Sequence, residues 1–144
     1  MNSEPAVTTY LISEPFERAL KAIREVLARN DLSVCTELDV SARVKREVNM
    51  GFTPCRILLV DSTCLLVEAA TLDCSAAVLF PLHLVVSGRG AQTQVHWINA
   101  GAIEGARLPT GAAVPLAKLQ SLVTQSLERI AMRQDIYLAP AYTR

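Results

Sequence analysis

A single α+β domain is the fold class that this sequence predicts, and three observations carry it. Hydropathy alternates along the chain between period two and period 3.6, the signatures of strands and of amphipathic helices. The chain has 144 residues, of which 51% are hydrophobic, so residues 1–144 hold enough apolar material for one core. Between Val78 and Asn99 an apolar stretch turns back on itself through Ser87-Gly88-Arg89-Gly90-Ala91-Gln92, a hairpin signal.

The elements follow in order. Val7 to Ile12 reads as a first strand, and Ser13-Glu14-Pro15 offers a cap residue and a proline for the first helical turn. That helix runs to about Asn30, with Phe16, Leu20, Ile23 and Leu27 on its core side and Glu17, Arg18, Lys21, Arg24 and Glu25 left for water. Leu32, Val34, Thr36 and Leu38 alternate with Ser33, Cys35, Glu37 and Asp39 in a half-buried second strand. Ser41 is placed to cap a short helix toward Met50, which Gly51 ends. Arg56-Ile57-Leu58-Leu59-Val60 is a third strand, and Ser62 or Thr63 caps a third helix through about Thr71. Val78 to Ser87 and Gln92 to Asn99 form the hairpin.

The residues from Phe16 to Asn99 resemble the bacterial and archaeal family called domain of unknown function 302. The resemblance lies in the helix opening at Phe16, the acidic strand residues Glu37 and Asp39, and Gly51-Phe52-Thr53-Pro54-Cys55-Arg56-Ile57-Leu58. It continues through Leu72-Asp73 and Val78-Leu79-Phe80-Pro81; the ungapped spacing from Arg56 to Pro81 is its specific part. The chain departs from the family where it has Asp61-Ser62-Thr63 at the entry to the third helix and Asp73-Cys74 after it. The resemblance implies a two-layer sandwich in which helices pack on one face of a curved, mainly antiparallel sheet, with a family-like core over about 7–99 and frequent pairing into a dimer. It implies no activity.

Past Asn99 the periodicity stops. Gly101, Gly105, Pro109 and Gly111 mark residues 100–113 as a long loop, a connector or a lid. From 115 to about 133 an amphipathic C-terminal helix presents Leu116, Leu119, Val123, Leu127 and Ile130 on one side, beside Leu122. That stripe is expected to dock on the chain's own sheet.

Charge and cysteine usage exclude several classes. Fourteen basic residues balance fourteen acidic ones, so there is no electrostatic footprint for nucleic acid. The densest basic run, Arg43-Val44-Lys45-Arg46, is followed at once by Glu47. No apolar run approaches the ~18 residues of a spanning helix, and Met1-Asn2-Ser3-Glu4-Pro5 has no export-signal character. A soluble cytoplasmic protein is expected, without a membrane partner. Cys35, Cys55, Cys64 and Cys74 form no Cys-x-x-Cys pair and are expected to be reduced.

The candidate chemistry centres on His83 and His96, the only two histidines. A two-residue loop at Arg89-Gly90, or a four-residue loop from Gly88 to Ala91, pairs Ser87 with Gln92 and sets His83 directly opposite His96. Leu82, Leu84, Val86, Val95 and Trp97 then face the core, while His83, Val85, Ser87, Gln92, Gln94, His96 and Ile98 form a mixed outer face. If alternation places Cys35 and Glu37 on that outer face too, imidazole, thiol and carboxylate would make a ligand set for a metal such as zinc. Cys64, just inside a helix N-terminus, is the candidate reactive thiol. No nucleophile elbow, phosphate loop or paired-acid signature occurs. The expectation is a small homodimeric binding or regulatory domain that uses His83, His96, Gln94, Cys35 and Glu37 on the mixed face for a partner or a small ligand. The alternative is a metal-dependent or thiol-using enzyme built on His83/His96 or Cys64.

Overall fold

The structure of the chain, a computed structural model, describes residues 6–98 and 107–134. Six strands form one sheet: β1 (Val7–Ile12), β2 (Ser33–Asp39), β3 (Cys55–Asp61), β4 (Leu82–Arg89), β5 (Gln92–Ile98) and β6 (Met132–Arg133). Their spatial order is β2-β3-β4-β5-β1-β6, and every neighbouring pair is antiparallel. The helices are α1 (Phe16–Arg29), α2 (Val40–Val48), α3 (Thr63–Leu72) and α4 (Ala113–Glu128), with a 3₁₀ turn at Cys74–Leu79.

One sheet face carries the core. Tyr10, Ile12, Leu58, Val60, Leu82, Leu84, Val86, Val95 and Trp97 alternate inward along β1, β3, β4 and β5 and are buried. Against them pack Leu20, Ile23 and Leu27 of α1, Leu65 and Ala69 of α3, and Leu116, Leu119, Val123 and Leu127 of α4. The result is the two-layer α+β sandwich. Side-chain polar groups tie the helix layer together where it would otherwise open: Asn30 Nδ2 donates to Ser126 Oγ at 2.7 Å and to the Val26 carbonyl.

Several boundaries differ from the sequence reading, each for a local reason. Asp39, not Ser41, caps α2: its Oδ1 accepts from the Ala42 N–H and the Ser41 hydroxyl, both at 2.9 Å. Asn49 ends that helix two residues before Gly51, in the left-handed conformation (φ 53°) that Asn tolerates. Val78 and Leu79 are not strand. Asp73 Oδ1 accepts from the Ser75 N–H and hydroxyl, which starts the 3₁₀ turn, and Pro81 has no N–H to offer a ladder. Ser62 supplies the cap of α3, accepting from the Leu65 N–H.

The C-terminal helix ends at Glu128 rather than near Arg133. Ile130 still packs on the core, but Met132 and Arg133 pair with Leu11 and Tyr10 as β6 and satisfy the free edge of β1. Of the loop read over 100–113, residues 100–106 lie outside the described residues, and with them the question of a lid.

The hairpin is also reset. Arg89 pairs with Gln92 across a two-residue turn at Gly90-Ala91, in which only Gly90 has positive φ (67°), the pattern of a type II′ connection. Gly88 stays in the strand, paired with Thr93, where neighbours leave little room for a side chain: a Cβ there would lie 3.3 Å from Pro54 Cβ and 3.4 Å from Phe16 Cβ. Its N–H donates to the Pro54 carbonyl at 2.7 Å, and its own carbonyl accepts from the Thr53 hydroxyl.

Candidate functional site

His96 sits in the middle of β5, between β4 and β1. Its register partners are Val85 and Thr9, so His83 and His96 are not directly opposite. The two-residue change of register keeps both on the outer face but moves His83 beyond the last β4–β5 pair, Val85 with His96. There it is exposed and stands across from Leu59 of β3. His96 is instead half-buried, with Nδ1 2.9 Å from Thr9 Oγ1 and Nε2 3.5 Å from Ser87 Oγ. Burial pushes its pKa down, so the imidazole is held neutral, one ring nitrogen donating and the other accepting.

Ser87, His96 and Thr9 follow the layout of nucleophile, base and orienting group, but a hydroxyl occupies the place where hydrolases set a carboxylate. Thr9 fixes the ring without stabilising an imidazolium. What the trio supplies is a neutral hydrogen-bonding patch, extended by Gln94, whose amide donates to Gln134 Oε1 at 3.0 Å.

Around this patch the outer face is apolar. Val7 and Leu11 of β1, Leu38 of β2, Ile57 and Leu59 of β3, Val85 of β4 and Ile98 of β5 point to the side opposite the helices. Among the described residues no helix covers them, and Val7, Leu38 and Ile98 are 46%, 39% and 42% exposed.

Cys35 and Glu37 do not join the histidines. Val34 pairs with Val60 and Thr36 with Leu59, which leaves Cys35 as the extra residue of a β-bulge. The bulge reverses the alternation after it. Glu37 therefore lies on the helix side, paired with Arg24 of α1 and Arg56 of β3, and Asp39 lies 3.5 Å from Arg56. Cys35 is exposed on the edge strand, its thiol donating to the Leu59 carbonyl. Among the described residues no group of three or more His, Cys, Asp and Glu side chains could hold a metal ion.

Cys64 is exposed in the first turn of α3. It lines an open groove of about 460 Å³ with Ser62, Lys118 and Ser121. The Lys118 ammonium points to Glu68, 3.5 Å away, and no hydrogen bond reaches the Cys64 thiol among the described residues. Cys55 is the buried thiol, pushed up in pKa first by burial and then by Asp39.

A site that the sequence reading missed lies at the end of the sandwich, where β4 and β5 stop pairing. A cavity of about 220 Å³ opens there between the starts of β4 and α4, the 3₁₀ turn and the end of β5. Gln120 of α4 is among its lining residues. This residue is only 6% exposed, yet its Nε2 has no hydrogen-bond partner among the described residues. A buried amide donor left unpaired costs about 1–3 kcal/mol. The signal was present in the sequence: Gln120 is four residues after Leu116 and three before Val123, a polar residue on an apolar stripe.

The family model "Domain of unknown function DUF302" matches residues 8–126. The chain belongs to this family. A crystal structure of an uncharacterized conserved protein DUF302 from Bacillus stearothermophilus is similar at a TM-score of 0.76 and 17% identity, over 88% of this chain and 99% of that one. At that identity the likeness is one of fold. No curated protein matches the DUF302 chain described here.

Proposed function

We propose that this DUF302 chain is a binding domain that works as a homodimer, two copies meeting face to face through the outer surface of their sheets. The observation that carries the reading is β3, whose Ile57 and Leu59 point outward while Leu58 and Val60 point inward. Continuous apolar runs belong to strands covered on both faces, and the helices cover only one.

Size and charge agree. Five strands of about seven residues span roughly 24 Å by 23 Å, about 550 Å² in projection and more in accessible area, near the ~800 Å² per partner of a standard interface. Between Asp61 at one end and Arg89 at the turn, the described residues of β3, β4, β5 and β1 place no charged side chain on the outer face. Interface centres are depleted in charge in the same way. A net charge of zero lets two copies approach without repulsion. The hydrogen-bonded Thr9, His96 and Ser87 would then be shut from water at the centre of the contact and give it register. Four free cysteines, three of them exposed, suit the reducing cytoplasm as the place where it works.

Leu59→Glu tests the reading. Sedimentation velocity should show a monomer for the variant and a dimer for the parent, with unchanged circular dichroism. A variant that stays dimeric would put the contact on another face.

A further inference from the structure

We infer that the homodimer carries a pH switch: the two copies hold together at neutral pH and part in acid, because protonating His96 places a positive charge on each of two surfaces that have nothing to neutralise it. The inference rests on the face-to-face reading and adds its regulation. On the outer face His96 has β4 on one side and β1 on the other. Its ring is half-buried before any partner arrives, and a second sheet laid on it removes the water that still reaches it. A protonated ring donates from both nitrogens, and the Thr9 and Ser87 hydroxyls can each turn to accept. Hydrogen bonding therefore survives protonation; the charge is what lacks an answer.

The neighbours on this face are neutral or positive. β1 brings no titratable group: Thr9 faces His96, with Val7 and Leu11 to either side. β4 brings Val85 and Ser87, then His83 and Arg89 further along, and both of these add positive charge in acid. Beyond β4, Cys55 of β3 stands opposite Ser87 as a thiol that burial keeps neutral. Among the described residues the outer-face carboxylate of these strands is Asp61, four residues along β3 from Ile57. Strand spacing puts it roughly 16 Å from His96, about twice the Debye length at physiological salt, and burial pushes its pKa up. Glu14, past the end of β1, is paired with Arg18. At the centre of a two-fold contact the same patch comes from both sides, so the partner brings a second imidazole while the partner's Asp61 stays at the rim. Desolvation opposes an uncompensated charge, and burial already lowers the His96 pKa in the single chain. Contact lowers it further, so the separated chains take up protons that the dimer does not, and acid favours separation.

The test is sedimentation equilibrium of the full-length protein at about pH 7.5 and pH 5.0 and constant ionic strength. Below its midpoint in the single chain each imidazole can weaken association up to about tenfold per pH unit, and a dimer carries two. The Kd of the parent should rise at least about tenfold between the two pH values. His83→Gln should match the parent, and the Kd of His96→Gln should change less than about twofold. Should His96→Gln fold poorly, NMR of the parent answers: the His96 Hε1 midpoint should lie at lower pH in the dimer than in monomeric Leu59→Arg, whose added charge would by itself lower the midpoint. A parent that is monomeric at pH 7.5, or a Leu59→Arg variant that stays dimeric, overturns the face-to-face reading and the switch with it. A dimer with the same Kd at both pH values overturns the switch alone, as do a dependence that persists in His96→Gln, one that vanishes in His83→Gln, or equal Hε1 midpoints.

Discussion

His96 is tied to Thr9 on the neighbouring strand: the two are register partners in β5 and β1, and Nδ1 lies 2.9 Å from Oγ1. The bond sits on the outer face of the sheet, with Ser87 on the other ring nitrogen. Thr9→Val keeps the strand shape and removes the partner. It should cost about 1 kcal/mol of unfolding free energy, read as a lowered urea midpoint; an unchanged midpoint would mean that water replaces the hydroxyl without loss.

Burial lowers the His96 pKa, and the sign of its effect on stability follows. In the unfolded chain the imidazole titrates near 6.5; folded, it takes up its proton at lower pH. Between those values the unfolded state binds more protons, so stability present above about pH 6.5 is lost as pH falls toward the folded value. Urea midpoints measured at pH 7.5 and 5.5 should fall further for the parent than for His96→Gln. Equal falls would assign the acid sensitivity to other groups.

Gly88 and Gly90 should both resist substitution, for different reasons. At Gly88 a side chain meets Pro54 and Phe16 at close range, so Gly88→Val should destabilise by about 1–3 kcal/mol through overpacking. Gly90 has open space around it but holds a positive φ that L side chains rarely adopt, so Gly90→Ala should cost about 1–3 kcal/mol through backbone strain alone. A Gly90→Ala variant as stable as the parent would restore Gly88 to the turn.

The same pair shows how far the sequence could be read. Periodicity gave α1 and the inward faces of β3, β4 and β5 because a single stripe or alternation decides them. Two glycines two residues apart allow more than one even turn, and only the approach of Pro54, distant in sequence, selects Gly90-Ala91. At β2 the bulge at Cys35 is invisible to alternation, yet it sends Glu37 to Arg24 and Arg56 and dissolves the predicted Cys35, Glu37, His83 and His96 grouping. β6 was hidden for another reason: Ile130 faces the core whether the helix continues or the chain turns to cover β1. Gln120 was legible as a polar residue on the α4 stripe, but its missing partner was not.

Cys55 should be the slow thiol. It is buried, and its pKa is pushed up by that burial, whereas Cys35, Cys64 and Cys74 are exposed. Iodoacetamide at neutral pH, followed by intact mass, should add three groups quickly and the fourth only with unfolding. Four equal rates would contradict the packing around Cys55.

The helix layer should carry the stability of the fold. Leu119 is fully buried between α4 and the sheet, and Leu119→Ala should cost about 2–5 kcal/mol in urea unfolding. A loss below 1 kcal/mol would mean that the layer is not packed as described.

The face-to-face pairing of two sheets is tested most directly by the mass of the unaltered protein in solution. Light scattering at tens of micromolar should give twice the chain mass of 15.7 kDa, that is 2 × 15.7, about 31 kDa. A mass that stays at 15.7 kDa across that range would leave Ile57 and Leu59 facing water and would contradict the pairing.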